Sequence, residues 1–348
     1  MHIKKITLIL FMIISWGEMS AQYAGHGWLW IEEKKIDYSL LKDEEYYGIK
    51  LMTEPENLST LFEESPNVRI VVVDYRKSHL PNVICDLAKL DTVWIGEMSY
   101  ASWRYRTVLP QCICSLKISR LEIRGRVENH ELLEEWLKTN EELTNLALEA
   151  PISLETFKTV VRGKKIKRLT VPVNDGDIID TKYFSASLKS LSLFHTKRNK
   201  VCPKEKQIKL LGSHLSDSLT TLLGDFDIAD TATMNILINS PRLNFLGLGW
   251  NENLPKSFAL MKHLKCLHIK ELCINERNVN ILSELDSLEE IYWDVKSLRE
   301  VKAAVEILKK LSHVKTITFF SRRHKFYYSR IKIEGLPNVS FVSFSIRG

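Results

Sequence analysis

Residues 243–269 read LNFLGLGWNENLPKSFALMKHLKCLHI, and this stretch decides the fold. Apolar residues stand at the first, fourth and sixth places from Leu243, and the same pattern returns 21 residues later from Leu264. A polar residue follows the first apolar place in both copies, as Asn244 and Lys265. Two copies of one pattern in so short a stretch predict a repeat architecture, in which each unit buries its apolar side against the next.

The same pattern occurs twelve times along the chain. Its copies begin at Val68, Leu90, Ile118, Leu143, Ile166, Leu188, Leu219, Leu243, Leu264, Leu288, Val314 and Val339. The steps between them run from 21 to 31 residues and average about 24.6, within the range of leucine-rich repeats. The residue after the first apolar place is polar in all twelve copies, although the copies were not chosen on that position. A shared core therefore explains the pattern better than chance does.

Each repeat predicts one short strand and one return segment. The last two apolar places are two residues apart, which is the period of a β-strand. Apolar residues at spacing three in the return segments indicate helical turns, and Asn129–Leu143 and Val301–Leu311 are the best candidates for true helices. We expect an α/β solenoid, a horseshoe with about 12 parallel strands on its concave face and short helices or turns on its convex face. Residues 196–206 are expected to form a loop excursion.

Two longer motifs carry a family resemblance. Residues 254–269 read Leu-Pro-x-x-Phe-x-x-Met-x-x-Leu-x-x-Leu-x-Ile, and residues 80–95 have the same spacing. With these motifs the chain resembles the bacterial secreted leucine-rich repeat (LRR) proteins over about residues 58–348, and the resemblance implies the architecture alone. The turn asparagine of that family is present only at Asn174 and Asn251, which predicts irregular repeats.

The N-terminal part of the sequence predicts an export signal followed by a cap. A basic start, the 11-residue apolar run Ile6–Trp16 and a small-residue cleavage point make residues 1–21 resemble a signal peptide, with an uncleaved anchor as the alternative. We therefore expect an exported protein, which is secreted, periplasmic or attached to the cell surface. Residues 22–57 are interpreted as an N-terminal cap, in which the segment around Ile49 is a candidate thirteenth strand, and residues 58–348 as the solenoid.

Composition excludes several classes of protein. With 45% hydrophobic residues, 26% charged residues and a net charge of +6, the chain is neither disordered nor a dedicated nucleic-acid binder. Six cysteines are too few for a disulfide scaffold, although Cys85 and Cys114 are candidates to meet in adjacent repeats. No catalytic motif occurs in the sequence, so we predict no enzyme activity, no cofactor and no metal.

The concave face is the predicted binding surface, because aromatic and arginine side chains recur at the positions between the apolar residues. The candidate binding residues are Trp94, Arg120, Arg124, Arg168, Phe194, Phe245, Trp250, Tyr292 and Phe320. Their mixed charge favours a protein partner over nucleic acid, and the alternative is that neighbours shield several of them. The basic run at residues 322–325 is interpreted as a solvated loop.

Two other hypotheses remain open for the function. The aromatic side chains also fit a scaffold that binds glycans or a cell surface. No capping segment follows Phe341–Phe344, so a bare C-terminal strand that pairs with another copy of the chain is the third hypothesis.

Overall fold

The computed structural model describes residues 28–31, 46–74, 77–96, 106–174, 176–195, 207–251, 253–270, 272–321, 327–333 and 335–343. The chain divides into two compact units, residues 1–156 and 157–348. The predicted signal peptide, the predicted loop excursion at 196–206 and the basic run at 322–325 lie outside the described residues.

Parallel strands form the main sheet of the first unit. The described strands of this unit are β1 (Trp28–Ile31), β2 (Gly48–Leu51), β3 (Ile70–Val73), β4 (Lys77–His79), β5 (Thr92–Ile95), β6 (Arg106–Val108), β7 (Arg120–Ile123), β8 (Arg126–Val127) and β9 (Asn145–Leu148). The main sheet has the order β1-β2-β3-β5-β7-β9, and β4, β6 and β8 form a smaller parallel sheet. Each main-sheet strand therefore pairs with the strand of the next repeat.

The second unit follows the same plan. Its described strands are β10 (Arg168–Val173), β11 (Ile178–Asp180), β12 (Ser190–His195), β13 (Lys209–Leu211), β14 (Thr221–Gly224), β15 (Phe245–Trp250), β16 (Cys266–Lys270), β17 (Glu290–Asp294), β18 (Thr316–Ser321), β19 (Tyr327–Ile333) and β20 (Leu336–Ser343). The main sheet has the order β10-β12-β14-β15-β16-β17-β18-β20-β19, and β11 pairs with β13. Only the β19–β20 pair of this sheet, as described, is antiparallel.

The return segments are short helices. The α-helices among the described residues are α1 (Leu58–Glu63), α2 (His130–Thr139), α3 (Leu154–Arg162), α4 (Thr231–Ile238), α5 (Glu276–Ser283), α6 (Leu298–Ala303) and α7 (Val305–Leu308). The described 3-10 helices are Asn82–Asp86, Gln111–Ser115, Thr181–Tyr183, Lys256–Leu260 and Lys309–Leu311. The predicted helix over Asn129–Leu143 is confirmed as α2, whereas Val301–Leu311 is divided, because the backbone of Ala304 leaves the helical region between α6 and α7.

Aligned rows of apolar side chains make the core of each unit. In the second unit the strand register places Leu169, Leu191, Leu222, Leu246, Leu267, Ile291 and Ile317 side by side. In the first unit Val71, Val93, Leu121 and Leu146 form the equivalent row. All of these side chains are buried. The predicted stacking of repeats is confirmed, and the architecture is an α/β solenoid of the leucine-rich-repeat class.

The sheet of the first unit begins inside the predicted cap. Leu29 of β1 pairs with Ile49 of β2, which pairs with Val71, so β1 and β2 continue the row of strands. The candidate thirteenth strand around Ile49 is therefore present as β2.

A disulfide ties two adjacent return segments together in the first unit. Cys85 lies in the 3-10 helix Asn82–Asp86, and it bonds to Cys112 of the 3-10 helix Gln111–Ser115, with 6.2 Å between their Cα atoms. The candidate pairing of Cys85 with Cys114 is wrong, since Cys114 is a free, exposed thiol. The buried places of the two helices are filled by Ile84 and Ile113, and each bonded cysteine is the chain neighbour of one of these isoleucines.

The C-terminal edge differs from the prediction. Val339 pairs with Ile317, so it takes the second apolar place of its repeat and not the first, and Phe341 aligns with buried Phe319. The predicted bare strand edge is wrong for β20, because β20 pairs with β18 on one side and with β19 on the other. Gly335, with φ of 80°, adopts the left-handed backbone that the tight turn between β19 and β20 requires.

Candidate binding face

Side chains that alternate with the core form a second surface on each main sheet, which we call the outer face. In β12, for example, Leu191 and Leu193 are buried in the core, whereas Ser192 and Phe194 are half-buried on the outer face. The backbone ladder fixes the spacing of this face, so its side chains stand on a rigid support.

An ion pair under an aromatic ring lies on the outer face of the first unit. Arg124 donates from Nε and Nη2 to Oε1 of Glu122 at 2.8 and 2.6 Å. The Arg124 guanidinium lies 5.9 Å from the centroid of the Trp94 ring, and Trp94 packs on Ile70 and Val72. Trp94 and Arg124 are each only 7% exposed. This part of the outer face is therefore tightly packed and contains the buried Glu122–Arg124 ion pair.

Burial controls the protonation of Glu122. Loss of solvation raises the pKa of this carboxyl above its ordinary value, and the charge of Arg124 opposes that rise. The carboxyl accepts two hydrogen bonds from Arg124, so the pair is a fixed feature of the surface and its geometry resists rearrangement.

An aromatic cluster lies on the outer face of the second unit. The rings of Tyr292 and Phe320 are stacked with centroids 6.1 Å apart. The imidazole of His268 meets both rings edge-on, with each centroid 6.5 Å away. The register explains the cluster, because His268 pairs with Tyr292, and Phe320 pairs with Asp294 two residues further along β17. We call His268, Tyr292 and Phe320 the aromatic cluster.

Carboxylates fix the aromatic cluster in place. The Tyr292 hydroxyl donates to Oε2 of Glu290 at 2.8 Å, and Nε2 of His268 lies 3.4 Å from Oδ1 of Asp294. Burial, then the hydrogen bond to Glu290 and the charge of Glu290, raise the pKa of the Tyr292 hydroxyl. Burial and then the Glu290 charge raise the pKa of the neighbouring Cys266 thiol. Cys266 therefore stays protonated at neutral pH and is a poor nucleophile, although it shares this face with His268.

Two glycines make room for the side chains of the preceding strand. A Cβ at Gly249 would lie 1.3 Å from Oδ1 of Asp225, and one at Gly247 would lie 2.1 Å from Cδ2 of Leu223. Asp225 reaches across Gly249, and its Oδ2 lies 3.9 Å from Nε2 of His195. The glycines of β15 thus lower the surface between the aromatic cluster and β14.

The structure places the nine predicted residues in different environments. Trp94, Arg124, Tyr292 and Phe320 are buried, with Tyr292 3% and Phe320 6% exposed, so for these four the alternative of shielding by neighbours applies. Half-buried positions hold Arg120, Phe194 and Phe245, while Arg168 is exposed. The side chain of Trp250 lies outside the described residues.

Sequence reasoning passed over the partners that organise the face. His268, Glu290 and Asp294 are not among the binding residues predicted from the sequence. The signal that places them together is the register: adjacent copies of the pattern bring His268 against Tyr292 and Cys266 against Glu290.

Comparisons with known proteins find similar chains among solved structures. No protein-family model matches the chain, and no curated protein matches it. A TLR13–ssRNA13 complex is 12% identical with a TM-score of 0.48, covering 92% of this chain and 53% of that chain, so the chain spans about half of its length. The leucine-rich repeat-containing protein LegL7 from Legionella pneumophila is 15% identical with a TM-score of 0.36, and the match covers 78% of this chain and 81% of that protein's chain. A Leptospira interrogans LRR protein is 13% identical (TM-score 0.34; 82% and 94% covered).

Among the described residues, no helix has the length and apolar character that a membrane span requires.

Proposed function

We propose that this chain is an exported, non-enzymatic recognition module that binds a protein partner through the outer face of the second unit. The observation that carries the proposal is the aromatic cluster with its carboxylates. Tyr292 is held by Glu290 and by stacking on Phe320, and His268 is held by Asp294, so the surface is ordered before any partner arrives. A surface that is already ordered loses little conformational entropy on binding.

The composition of the face favours a protein partner. Half-buried Phe194, Phe245 and Leu223 supply apolar area, and Lys270 and Asp294 supply charges of both signs. Protein interfaces combine an apolar, aromatic centre with polar groups that set orientation. A polyanion would instead require one dominant sign of charge.

The proposal of export draws support from the cysteines. A disulfide between Cys85 and Cys112 persists in oxidising compartments and is rare in the cytosol. The apolar run Ile6–Trp16 in the sequence supplies a matching export signal.

The test is site-specific capture. A photo-crosslinking residue is placed at Phe245, or in a second variant at Leu260, an exposed side chain of the 3-10 helix Lys256–Leu260 that serves as control. Both variants are incubated with extracellular protein from the source culture. We expect a crosslinked protein band with the Phe245 probe and none with the Leu260 probe.

A second measurement separates binding from folding. His268→Ala removes the edge contacts of the cluster, and we expect it to weaken the captured complex at least about fivefold, since truncation of a central side chain costs more than about 1 kcal/mol. Lys302→Ala on α6 is the control and should retain full binding. A complex that forms equally from Leu260, or that tolerates His268→Ala in a folded variant, would refute the assignment of the face.

A further inference from the structure

Three cations converge on one tyrosine away from the outer face. The Tyr183 ring centroid lies 4.1 Å from the Arg162 guanidinium, 4.9 Å from Nζ of Lys182 and 5.3 Å from Nζ of Lys158. Lys158 and Arg162 come from one face of α3, and Lys182 comes from the 3-10 helix Thr181–Tyr183 of the next repeat. A hydrogen bond from the backbone N–H of Ser185 to the carbonyl of Val161 joins the two segments.

The positive charge of this cluster is only partly neutralised. Lys182 lies 2.5 Å from Oδ2 of Asp180, and this pair lowers the pKa of the Asp180 carboxyl. Within the described part of the chain Lys158 and Arg162 form no ion pair, although they stand at i and i+4, where like charges repel. The cluster therefore has positive charge available for an external anion.

Exposed aliphatic side chains border the same cations. Ile178 of β11 is 59% exposed and Leu211 of β13 is 53% exposed, whereas the intervening Ile179 and Leu210 are 2% exposed. Leu211 pairs in register with Asp180, the carboxylate that holds Lys182, and so lies directly beside the cation cluster. We call Lys158, Arg162, Lys182, Ile178 and Leu211 the basic–aliphatic patch.

We propose that the basic–aliphatic patch docks on the surface of a lipid bilayer that contains anionic lipids. A bilayer surface can bind the cations and the aliphatic side chains of the patch together. The headgroup phosphates contact the cations, and Ile178 and Leu211 enter the boundary between headgroups and acyl chains. A soluble polyanion would leave the two aliphatic side chains in water. The side chains of Lys158, Arg162 and Lys182 lie over the Tyr183 ring, so the ring is not open for stacking with a nucleobase. This inference concerns a different surface from the outer face and does not depend on the proposed protein partner.

The test uses sedimentation with lipid vesicles. The full chain is mixed with vesicles of phosphatidylglycerol and phosphatidylcholine, or of phosphatidylcholine alone, at low salt. We expect binding to the anionic vesicles only. Lys158→Ala/Arg162→Ala should weaken that binding by about tenfold or more, because each basic residue near an anionic surface contributes to the partition. The matched control Lys256→Ala/Lys302→Ala removes the same charge from exposed positions elsewhere and should leave binding nearly unchanged.

The aliphatic half of the patch has its own control. Ile178→Ser/Leu211→Ser should weaken binding to anionic vesicles severalfold, whereas Leu260→Ser, at an equally exposed aliphatic position, should not. Dextran sulfate serves as the soluble polyanion in a parallel assay. The proposal is overturned if the serine double variant binds anionic vesicles as the parent does, or if the charge-matched control loses as much binding as Lys158→Ala/Arg162→Ala. The proposal is also overturned if the chain binds dextran sulfate as tightly as anionic vesicles and the aliphatic substitutions have no effect. That result identifies a site for polyanions in general.

Discussion

Arg124 and Glu122 are two charged residues that the first unit holds in a buried setting. Glu122 is 5% exposed, and its compensating groups are the two hydrogen bonds from Arg124 and the nearby charge of Arg120. Removing one partner of a buried pair leaves the other charge uncompensated, which costs about 3–5 kcal/mol. A single substitution in this pair should therefore cost more unfolding free energy than one in an ion pair that is exposed to solvent.

Arg124→Met should destabilise the protein in a pH-dependent way. Burial raises the pKa of Glu122 in the folded state, so the carboxyl contributes most stability below its ordinary value of 4.5 and loses it as the pH rises through the raised value. Without Arg124 the rise is larger. We expect the difference in unfolding free energy between parent and variant to be about 3–5 kcal/mol at neutral pH and smaller near pH 4.5, as measured by urea denaturation.

The control for this prediction removes the titrating group. In a Glu122→Gln background the titrating carboxyl is absent, so the cost of Arg124→Met, measured between Glu122→Gln and Glu122→Gln/Arg124→Met, should no longer vary with the titration of Glu122. A cost of Arg124→Met that is the same at every pH would contradict the assignment of the effect to Glu122.

Gly249→Ala should destabilise the second unit through Asp225. The added Cβ would overlap Oδ1 of Asp225 at 1.3 Å and crowd its Cα at 3.1 Å, so the Asp225 side chain must leave its place near His195. Overpacking of this kind costs about 1–3 kcal/mol in unfolding free energy. In an Asp225→Ala background the same substitution should cost less, and an equal cost in both backgrounds would contradict a clash with the carboxylate.

Residue-scale features were predictable from the sequence only where the repeat pattern fixes them. The pattern places Trp94 and Tyr292 on the outer face, and the structure agrees. Which of the candidate side chains neighbours would shield was not predictable, since it depends on what adjacent strands place beside them: Arg124 over Trp94, and Phe320 against Tyr292.

At the scale of elements, the Cys85–Cys112 disulfide links two 3-10 helices of adjacent repeats. These helices are five residues each, and each buries a single isoleucine, Ile84 or Ile113. The disulfide adds a covalent link to the packing of these adjacent return segments. It acts on the unfolded chain by closing a loop over a sequence separation of 27 residues.

Cys85→Ser/Cys112→Ser should lower the unfolding free energy of the oxidised protein by about 3.5 kcal/mol, the loop-closure value for a loop of this length. Cys114→Ser should have little effect, because Cys114 is exposed and unbonded. Urea denaturation measures both, and peptide mapping under non-reducing conditions identifies the bonded pair. A peptide that links Cys85 to Cys114 would refute the pairing.

The C-terminal hairpin shows where element prediction from sequence fails. The pattern beginning at Val339 matched the repeat, yet the structure uses Val339 at the second apolar place. The antiparallel partner β19 explains the shift, because a hairpin with its turn at Gly335 sets its own register. Arg330 and Lys332 on β19 place charge on the outermost strand, a common protection against pairing with other chains.

At the scale of the whole molecule, the sequence predicted the repeated strand and its core more completely than the return segments. The apolar rows depend on contacts between adjacent repeats, which recur every 21 to 31 residues and are readable as a period. The helices differ from repeat to repeat: α2 has ten residues, whereas the equivalent segment before β5 is a five-residue 3-10 helix. Local capping and turn chemistry set these lengths, and a period carries no information about them.

Leu267→Ala tests whether stability is carried by neighbouring repeats. Leu267 is fully buried and pairs with Leu246 on one side and Ile291 on the other. We expect the truncation to cost about 2–5 kcal/mol, because it leaves a cavity in a row whose other members stay fixed. In a solenoid each repeat contacts only its neighbours, so amide hydrogen exchange should accelerate most in β15, β16 and β17 and progressively less toward β10. An equal loss of protection in every strand of the second unit would instead indicate a single cooperative core. The stability of the outer face would then not be carried by neighbouring repeats.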